Sequence, residues 1–567
     1  MSVRKLKKMA GRAFLLAAIV LVVTSFGGKA AQAEPNAIQA ENALPGTPGW
    51  HLTKPSTANY EIAGYITRPS VPAGEVVPVH ANTRFSEAGK PYTVEVLRLG
   101  DYAGVGARRV VEPFVVESGP SLKPADVVDA ATGLIEANWP VSFSVDTAGL
   151  TSGAFLVKLT GSGAGYQTHV PFTVRDNQAH DYLFLNSHLT WQGYNAAGGN
   201  SLYQWATVYP DFRQNWCILW ACQYQWTNPA TGTTVVSSTK PTPPGNMARQ
   251  VSFARPYQRG SRTISGEGEL LWHEQPLIQW LEAQGYDIGY QADFDLDASP
   301  VPAGTKAIVL PGHQEYWTGP MRDHADAAQA AGVGIASFGA NQAYWRCRIE
   351  GATSDNVGRY TCYKSVNGEP HTHDPLKDDP ALASAQFRST FVGRPEQLLL
   401  GSMFGGWINA NVPYAGAPGT ISLGWTTMLT GGTPSPFLDE AGITAGEGFN
   451  ALLGGEFDRT WPDRAHLEGV QKLFETTIHP RLWNGGGSAV QLWMCSINWP
   501  NACWYGKHEA VIVETPSGAR VFNAGNYNWM WGLTNFGFNG QNFDFTNPKI
   551  QALTISLLDW VKTPQPV

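Results

Sequence analysis

Ile308-Val309-Leu310-Pro311-Gly312-His313-Gln314-Glu315-Tyr316-Trp317 is an apolar, strand-forming run that stops at Pro-Gly and then offers a histidine and a glutamate two positions apart. In an open α/β sheet, ligands bind beyond the carboxyl ends of the strands, so these side chains stand where chemistry is expected. Alternate residues of an extended segment point the same way, which would bring His313 and Glu315 to one side. The competing reading makes both residues polar caps for the following helix.

Around this run the pattern alternates between strands and helices. Strands are expected over residues 182–186, 286–290, 306–310 and 334–338, and a helix over 321–331. Residues 274–284 read as an amphipathic helix, with Leu277, Ile278 and Leu281 on one face and Gly285 at its end. Such a βαβ rhythm predicts a mainly parallel sheet with helices on its faces. Long insertions of strand character follow, and Asn547 with Pro548 marks the start of a closing helix. Upstream, residues 60–174 carry short strands separated by Gly/Pro turns, which predicts an all-β, immunoglobulin-like sandwich with a structural or docking role. The chain therefore divides into residues 1–33, a linker over 34–57, the sandwich over 58–178 and an α/β domain over 179–567.

Residues 1–33 read as an export signal. Arg4, Lys5, Lys7, Lys8 and Arg12 precede an apolar run over 14–23, and Ala31-Gln32-Ala33 supplies a small-x-small cleavage site. No later segment is apolar enough for a membrane helix. Cleavage after Ala33 removes six Lys/Arg and no acid, taking the net charge from −7 to −13. An acidic chain without a basic patch excludes nucleic acid and anionic lipid as expected partners. Six cysteines fall into local pairs, Cys217 with Cys222, Cys347 with Cys362 and Cys495 with Cys503. In an exported chain these are expected as disulfides, other connectivities remaining open.

The α/β segment has the outline of a glutamine-amidotransferase-like layered sheet with β-rich insertions. At the turn where that fold carries its nucleophile, this chain reads Gly339-Ala340-Asn341. Alanine cannot attack a carbonyl, so acyl transfer from a thiol or hydroxyl at that turn is excluded. Oxygen-rich groups remain: Tyr194, Tyr257, Glu315 and Asn341, with His313, and Glu456 and Asp458 after a glycine pair. Tyr203 and Tyr316 are rival phenols. The run Asp293-Phe294-Asp295-Leu296-Asp297 lacks the glycine and terminal glutamate of a calcium loop and reads as a polar strand exit.

Tyr194-Asn195-Ala196, Arg255-Pro256-Tyr257, Gly312-His313-Gln314-Glu315-Tyr316-Trp317, Phe338-Gly339-Ala340-Asn341-Gln342-Ala343-Tyr344-Trp345 and Gly455-Glu456-Phe457-Asp458 together resemble the C-terminal catalytic region of the N,N-dimethylformamidase large (β) subunit. The likeness runs over about residues 181–560. It implies a mononuclear Fe(III) held by Tyr194, Tyr257 and Glu315, with His313, Asn341 and Glu456 lining the pocket. Hard anionic oxygens suit a hard trivalent cation. Glu456 or His313, the latter as a neutral imidazole, would move protons, and Asn341 would hydrogen-bond the developing oxyanion. The reaction implied is hydrolysis of a small-molecule amide, with a small partner subunit or a homo-oligomer as further expectations. Two alternatives come from other classes. Trp493, Trp499, Trp504, Trp529 and Trp531 could stack on sugars beside a carboxylate pair, or the scaffold could be an inactive structural homologue.

Overall fold

Ala307–Gly312 lies inside a seven-stranded sheet of the computed structural model. Taken in chain order, the strands are β1 (Tyr182–Asn186), β2 (Ile288–Ala292), β3 (Ala307–Gly312), β4 (Gly334–Gly339), β5 (Gln471–Ile478), β6 (Gly506–Glu514) and β7 (Arg520–Asn523). Their order across the sheet is β2-β1-β3-β4-β7-β6-β5. The first five are parallel, and β6 and β5 extend the edge antiparallel. The structure describes residues 34–564, except for 58, 124, 206–212, 219–220, 228–233, 238–246, 258–268, 366, 409–424, 432–433, 479–505 and 539–540. The expected export signal and the pair Cys495 and Cys503 therefore lie outside the described residues.

The apolar run of β3 is continuous because both of its faces are covered, as parallel strands require. Val309 belongs to one core cluster, with Leu277, Ile278, Leu553 and Leu557. Its neighbours Ile308 and Leu310 belong to the other, with Met321 and Ala325. Strand residues alternate between faces, so one strand feeds two cores. Helices α1 (His188–Tyr194), α2 (Gln275–Ala283), α3 (Gly319–Ala330) and α4 (Pro548–Val561) supply much of those cores. The mixed α/β expectation holds. α2 is preceded by a π-helical turn, Leu270–Glu274, that periodicity alone did not signal.

Helix caps decide a question left by the sequence. The N-cap of α3 is Thr318, whose hydroxyl accepts from Met321 N and donates to Asp297 Oδ1 at 2.6 Å. His313 and Glu315 are thus not needed as caps. The Asp293–Asp297 run is not simply a strand exit, because Asp295–Ala298 forms a short helix. Asp293 is spent on the backbone, accepting from Leu189 N at the start of α1 (3.1 and 3.3 Å) and from Phe294 N at 2.8 Å, where a carboxylate also suits the helix dipole.

Upstream, a three-stranded sheet (Ile62–Tyr65, Val76–Thr83, Phe143–Asp146) and a five-stranded sheet (Ser70–Pro72, Gln167–Arg175, Gly153–Gly161, Tyr92–Leu99, Ala107–Val116) share a core containing Ile62, Val77, Val94, Phe155 and Phe172. The stretch expected as a linker carries a helix, Ala37–Asn42, with a capping box at Asn36. Asn36 Nδ2 donates to Gly285 O and Asn42 Nδ2 to Glu282, so this segment is docked on the end of α2. Between the sheets and α2, Arg98 sends Nη1 and Nη2 to the two oxygens of Glu282, each at 2.9 Å, with neither side chain exposed. Tyr290 donates to the same carboxylate at 2.7 Å.

Cys347 and Cys362 are disulfide-bonded. Cys217 and Cys222 are Cα partners in the hairpin Arg213–Ile218 and Ala221–Thr227, while their sulfurs lie outside what the structure describes. Trp529 and Trp531 have no exposed surface and pack edge-to-face on Phe474, Phe522 and Trp272. They are core residues and offer no sugar platform. Trp493, Trp499 and Trp504 lie outside the described residues. No described helix is long and apolar enough to cross a membrane.

Candidate active site

β3 ends at Gly312, and the chain turns through His313-Gln314-Glu315 before a short strand, Tyr316–Thr318. The side chains of His313 and Glu315 lie on one side, as expected, with His313 Nε2 3.5 Å from Glu315 Oε2. The turn is pinned on both sides. Glu315 N donates to Thr190 Oγ1 on α1 at 3.1 Å, and Glu315 O accepts from Tyr344 N and Trp345 N. Gln314, which separates the two residues, donates to Leu185 O and receives Trp317 Nε1, so it faces the opposite way.

Glu315 collects phenols. Tyr194, the last residue of α1, donates its hydroxyl to Glu315 Oε2 at 2.8 Å. Tyr203 donates to the same carboxylate, 2.6 Å from Oε1 and 2.5 Å from Oε2. Tyr194 and Tyr203 stack with ring centroids 4.3 Å apart. Burial and the Glu315 carboxylate drive both hydroxyls well above the usual phenol range. Tyr203, which the sequence offered only as a rival, is therefore the second phenol on this acid. Tyr257 is 7% exposed and belongs to the core cluster that holds Trp191 and Leu270.

The Arg-Pro-Tyr motif has a clear structural function. The buried Arg255 guanidinium donates to Asn200 O (2.7 Å), Ala197 O (3.3 Å) and Gln192 O (3.1 Å). Pro256 O accepts from Asn195 Nδ2 at 3.0 Å. Arg255 thus clamps the turn that links Tyr194 to Tyr203, and burial lowers its pKa to about 10. Beyond that turn, Ala248 N donates to Ser201 O at 2.8 Å, closing the base of the long excursion between them.

The far wall comes from the insertions. Glu456 opens a strand, Glu456–Arg459, and its Oε2 lies 3.2 Å from His313 Nε2. It does not pair with Arg459, which stacks on Trp461. Burial opposes charge on His313, but the Glu456 and Glu315 carboxylates outweigh it and raise the imidazole to about 9. The sequence expectation was a neutral imidazole, whereas the two facing acids favour its charged form. Burial raises Glu456 and the His313 charge lowers it, with a net shift downward. Asn341 sits at φ 57, in the turn after β4 where a nucleophile was excluded. Its N–H donates to Asp458 Oδ1 at 2.9 Å, and burial raises Asp458 to about 7.

Two further residues reach this pocket without having been singled out. Lys364 Nζ lies 3.4 Å from the Tyr203 ring centroid and donates to Tyr316 OH at 2.9 Å. Burial lowers it to about 8 against the pull of Glu315. Tyr527 places its ring 4.8 Å from that of His313. A lone lysine and a tyrosine outside any motif give no periodic signal, so only the fold could find them.

Does this oxygen set suit a cation? Among the described residues no three His, Cys, Asp or Glu side chains converge as a metal site. An ion here would draw on phenol oxygen, and two hydroxyls already share one buried carboxylate. Glu456 Oε2, His313 Nε2 and Asn341 Oδ1 are buried without a well-aligned hydrogen bond among the described residues. Buried polar atoms left so are uncommon and usually await a ligand or water. The donor chemistry fits a hard trivalent cation.

The family model described as N,N-dimethylformamidase beta subunit-like, C-terminal, matches residues 93–544. The match begins within the upstream sheets, well before the first of the motifs at Tyr194. No curated protein matches the chain.

Proposed function

We propose, from the premise that this chain belongs to the N,N-dimethylformamidase beta subunit-like family, that it hydrolyses amides with a mononuclear Fe(III) centre. Hydrolase character follows from the family, while the metal, its ligands and the substrate are our reading. Tyr194 and Glu315 would hold the ion, with Tyr203 or Tyr257 as the second phenolate. The single observation that supports this most is two phenol hydroxyls on one buried carboxylate. Between the two, Tyr203 has the geometry and Tyr257 the family motif.

When bound, the cation would act as a Lewis acid toward the amide carbonyl. The chain's own residues do the rest. Glu456 accepts a proton from the attacking water, and His313, beside it, carries one to the departing amine. The Asn341 side chain faces the carbonyl oxygen as charge builds there. Lys364 packs on the rings of Tyr203 and Tyr316 beside Glu315. Export is part of the proposal, supported by the Cys347–Cys362 disulfide and the N-terminal signal pattern. A small partner subunit is also proposed, since the family description names a beta subunit.

Elemental analysis and visible spectroscopy of the purified mature protein test this. One iron per chain and a phenolate-to-iron absorption band are expected, with amine released from N,N-dimethylformamide or a larger amide. Tyr194→Phe should bleach the band, and whichever of Tyr203→Phe and Tyr257→Phe also bleaches it identifies the second phenolate. A colourless, iron-free protein that releases no amine would sink the reading.

A further inference from the structure

Two glycines each stand one residue before a pocket side chain, and each makes room for a ring from elsewhere. Gly312 precedes His313 and has φ 27. A Cβ there would lie 2.4 Å from the Cβ of His273. Gly455 precedes Glu456 and has φ 65. A Cβ there would lie 2.3 Å from Cδ2 of Tyr527. Neither position tolerates a side chain, so both glycines serve His273 and Tyr527 as much as their own backbones. The two rings so admitted meet with centroids 4.9 Å apart.

His273 belongs to the π-helical turn Leu270–Glu274, a distortion that recurs at functional sites. Its Nδ1 lies 2.7 Å from Glu269 Oε2, one helical turn earlier. The pair is 2% and 6% exposed. A carboxylate at Nδ1 takes that nitrogen's N–H and so fixes which way the ring points Nε2. Nε2 is buried without a hydrogen bond among the described residues. The Tyr527 hydroxyl is also buried without a well-aligned bond, and it faces Glu456. His273 is therefore an oriented imidazole whose ring packs on that of Tyr527, the phenol that also faces the Glu456 carboxylate.

We infer that Glu269 and His273 are a second dyad serving this site, and that the Tyr527 hydroxyl alternates between Glu456 and His273 Nε2. While Glu456 is charged it is the stronger acceptor, and Tyr527 donates to it. Once Glu456 has taken a proton from water, the hydroxyl turns to His273. No covalent bond forms or breaks at Tyr527, which keeps its own proton throughout. The exchange leaves both protonation states of Glu456 with a satisfied neighbour, which lowers the cost of moving between them. His273 is a positioning residue, acting through Tyr527. The groups that face it are Glu269 on its own helix, Tyr527 beyond β7 and His313 at the end of β3, with Glu456 behind Tyr527.

The role assigned to Glu456 rests on the amidase reading, so the test has one arm that does not. Nitrogen-15 spectra of the full-length, histidine-labelled protein should show His273 protonated at Nδ1 and free at Nε2. Tyr527→Phe should shift the Nε2 resonance, and an unmoved resonance overturns the inference whether or not the protein is an amidase. In the second arm, with N,N-dimethylformamide as probe, His273→Gln keeps an acceptor near the Nε2 position and should retain kcat within a few-fold. His273→Leu, and Tyr527→Phe should the leucine variant not fold, should lose about tenfold or more in kcat with KM and iron content unchanged. Equal losses in the Gln and Leu variants, or loss of iron in either, overturn it. Absence of amide hydrolysis in the parent protein with the expected Nε2 shift would instead remove the amidase reading and leave the dyad standing.

Discussion

Two clusters of buried charge in this molecule have opposite finish. Around Glu282, every oxygen is met: Arg98 reaches both, Tyr290 joins one, and Tyr102 and Glu41 extend the network outward. Around His313, Tyr194 and Tyr203 meet Glu315, but His313 Nε2 and Glu456 Oε2 stay without a well-aligned bond among the described residues. Both clusters carry the desolvation cost of buried ions, which good geometry and full hydrogen bonding must offset. The first is arranged to offset it and holds the upstream sheets to α2. The second is not, and incomplete satisfaction in a buried, acid-rich site is what a protein shows where a substrate or ion supplies the missing partners. Finish, rather than charge or depth, separates scaffold from chemistry here.

The sharpest way to break this contrast is to cut the finished cluster. Arg98→Met should destabilise the protein by about 3–5 kcal/mol by stranding Glu282, read as a lower denaturant midpoint, while iron content and kcat of the folded fraction stay unchanged. Loss of iron in that variant would erase the distinction. Cutting the unfinished cluster should do the reverse. Glu456→Gln is expected to lower kcat by roughly 10²–10³-fold, the usual scale for a proton-moving group, with a melting temperature equal to or above the parent's, as relief of an active-site compromise allows.

A buried acid of a third kind lies between these extremes. Glu274 accepts from Asn186 Nδ2, Ser187 N and Trp191 Nε1, yet burial still raises it to about 8. Because the folded pKa is raised, its contribution to stability is full below the unfolded carboxyl pKa and is lost as pH rises toward 8. Denaturation at pH 5 and pH 8 should therefore show a decline that Glu274→Gln reduces by about 3–4 kcal/mol, given roughly 1.4 kcal/mol for each pKa unit. An identical decline in both proteins would remove Glu274 as its source. The smallest effect belongs to the surface. Arg359 and Glu136 pair at 3.3 Å with Arg359 half exposed, and Arg359→Gln should change stability by less than about 1 kcal/mol.

Much of the fold was legible because its signals are local. Val309 between Ile308 and Leu310 reads as a strand covered on both faces, and Asn547 with Pro548 reads as a helix start; both hold. The helix at Ala37–Asn42 was missed because an Ala-, Asn- and Pro-rich stretch resembles a linker until its capping box and its docking on Glu282 are seen. At the site, Glu315, His313, Glu456 and Tyr194 come together as their motifs suggested. Tyr257 was preferred on motif likeness, and Tyr203 reaches Glu315 from the turn after α1 that Arg255 clamps. Lys364, Tyr527 and the His273–Glu269 pair were invisible, since their partners are more than thirty residues away or, for His273, wound onto a helical turn with an unusual pitch.

The bond from Ala248 to Ser201 has a consequence for how such a protein can change. That bond pins a neck enclosing residues 202–247, with Tyr203 at their start, and closure entropy by itself opposes a change in that length only weakly, each doubling costing about 0.6 kcal/mol. A lineage could lengthen, trim or restyle the stretch beyond Tyr203 while the grip of Arg255 keeps the turn after Tyr194 in register. Variation would then be stored on one side of a fixed knot.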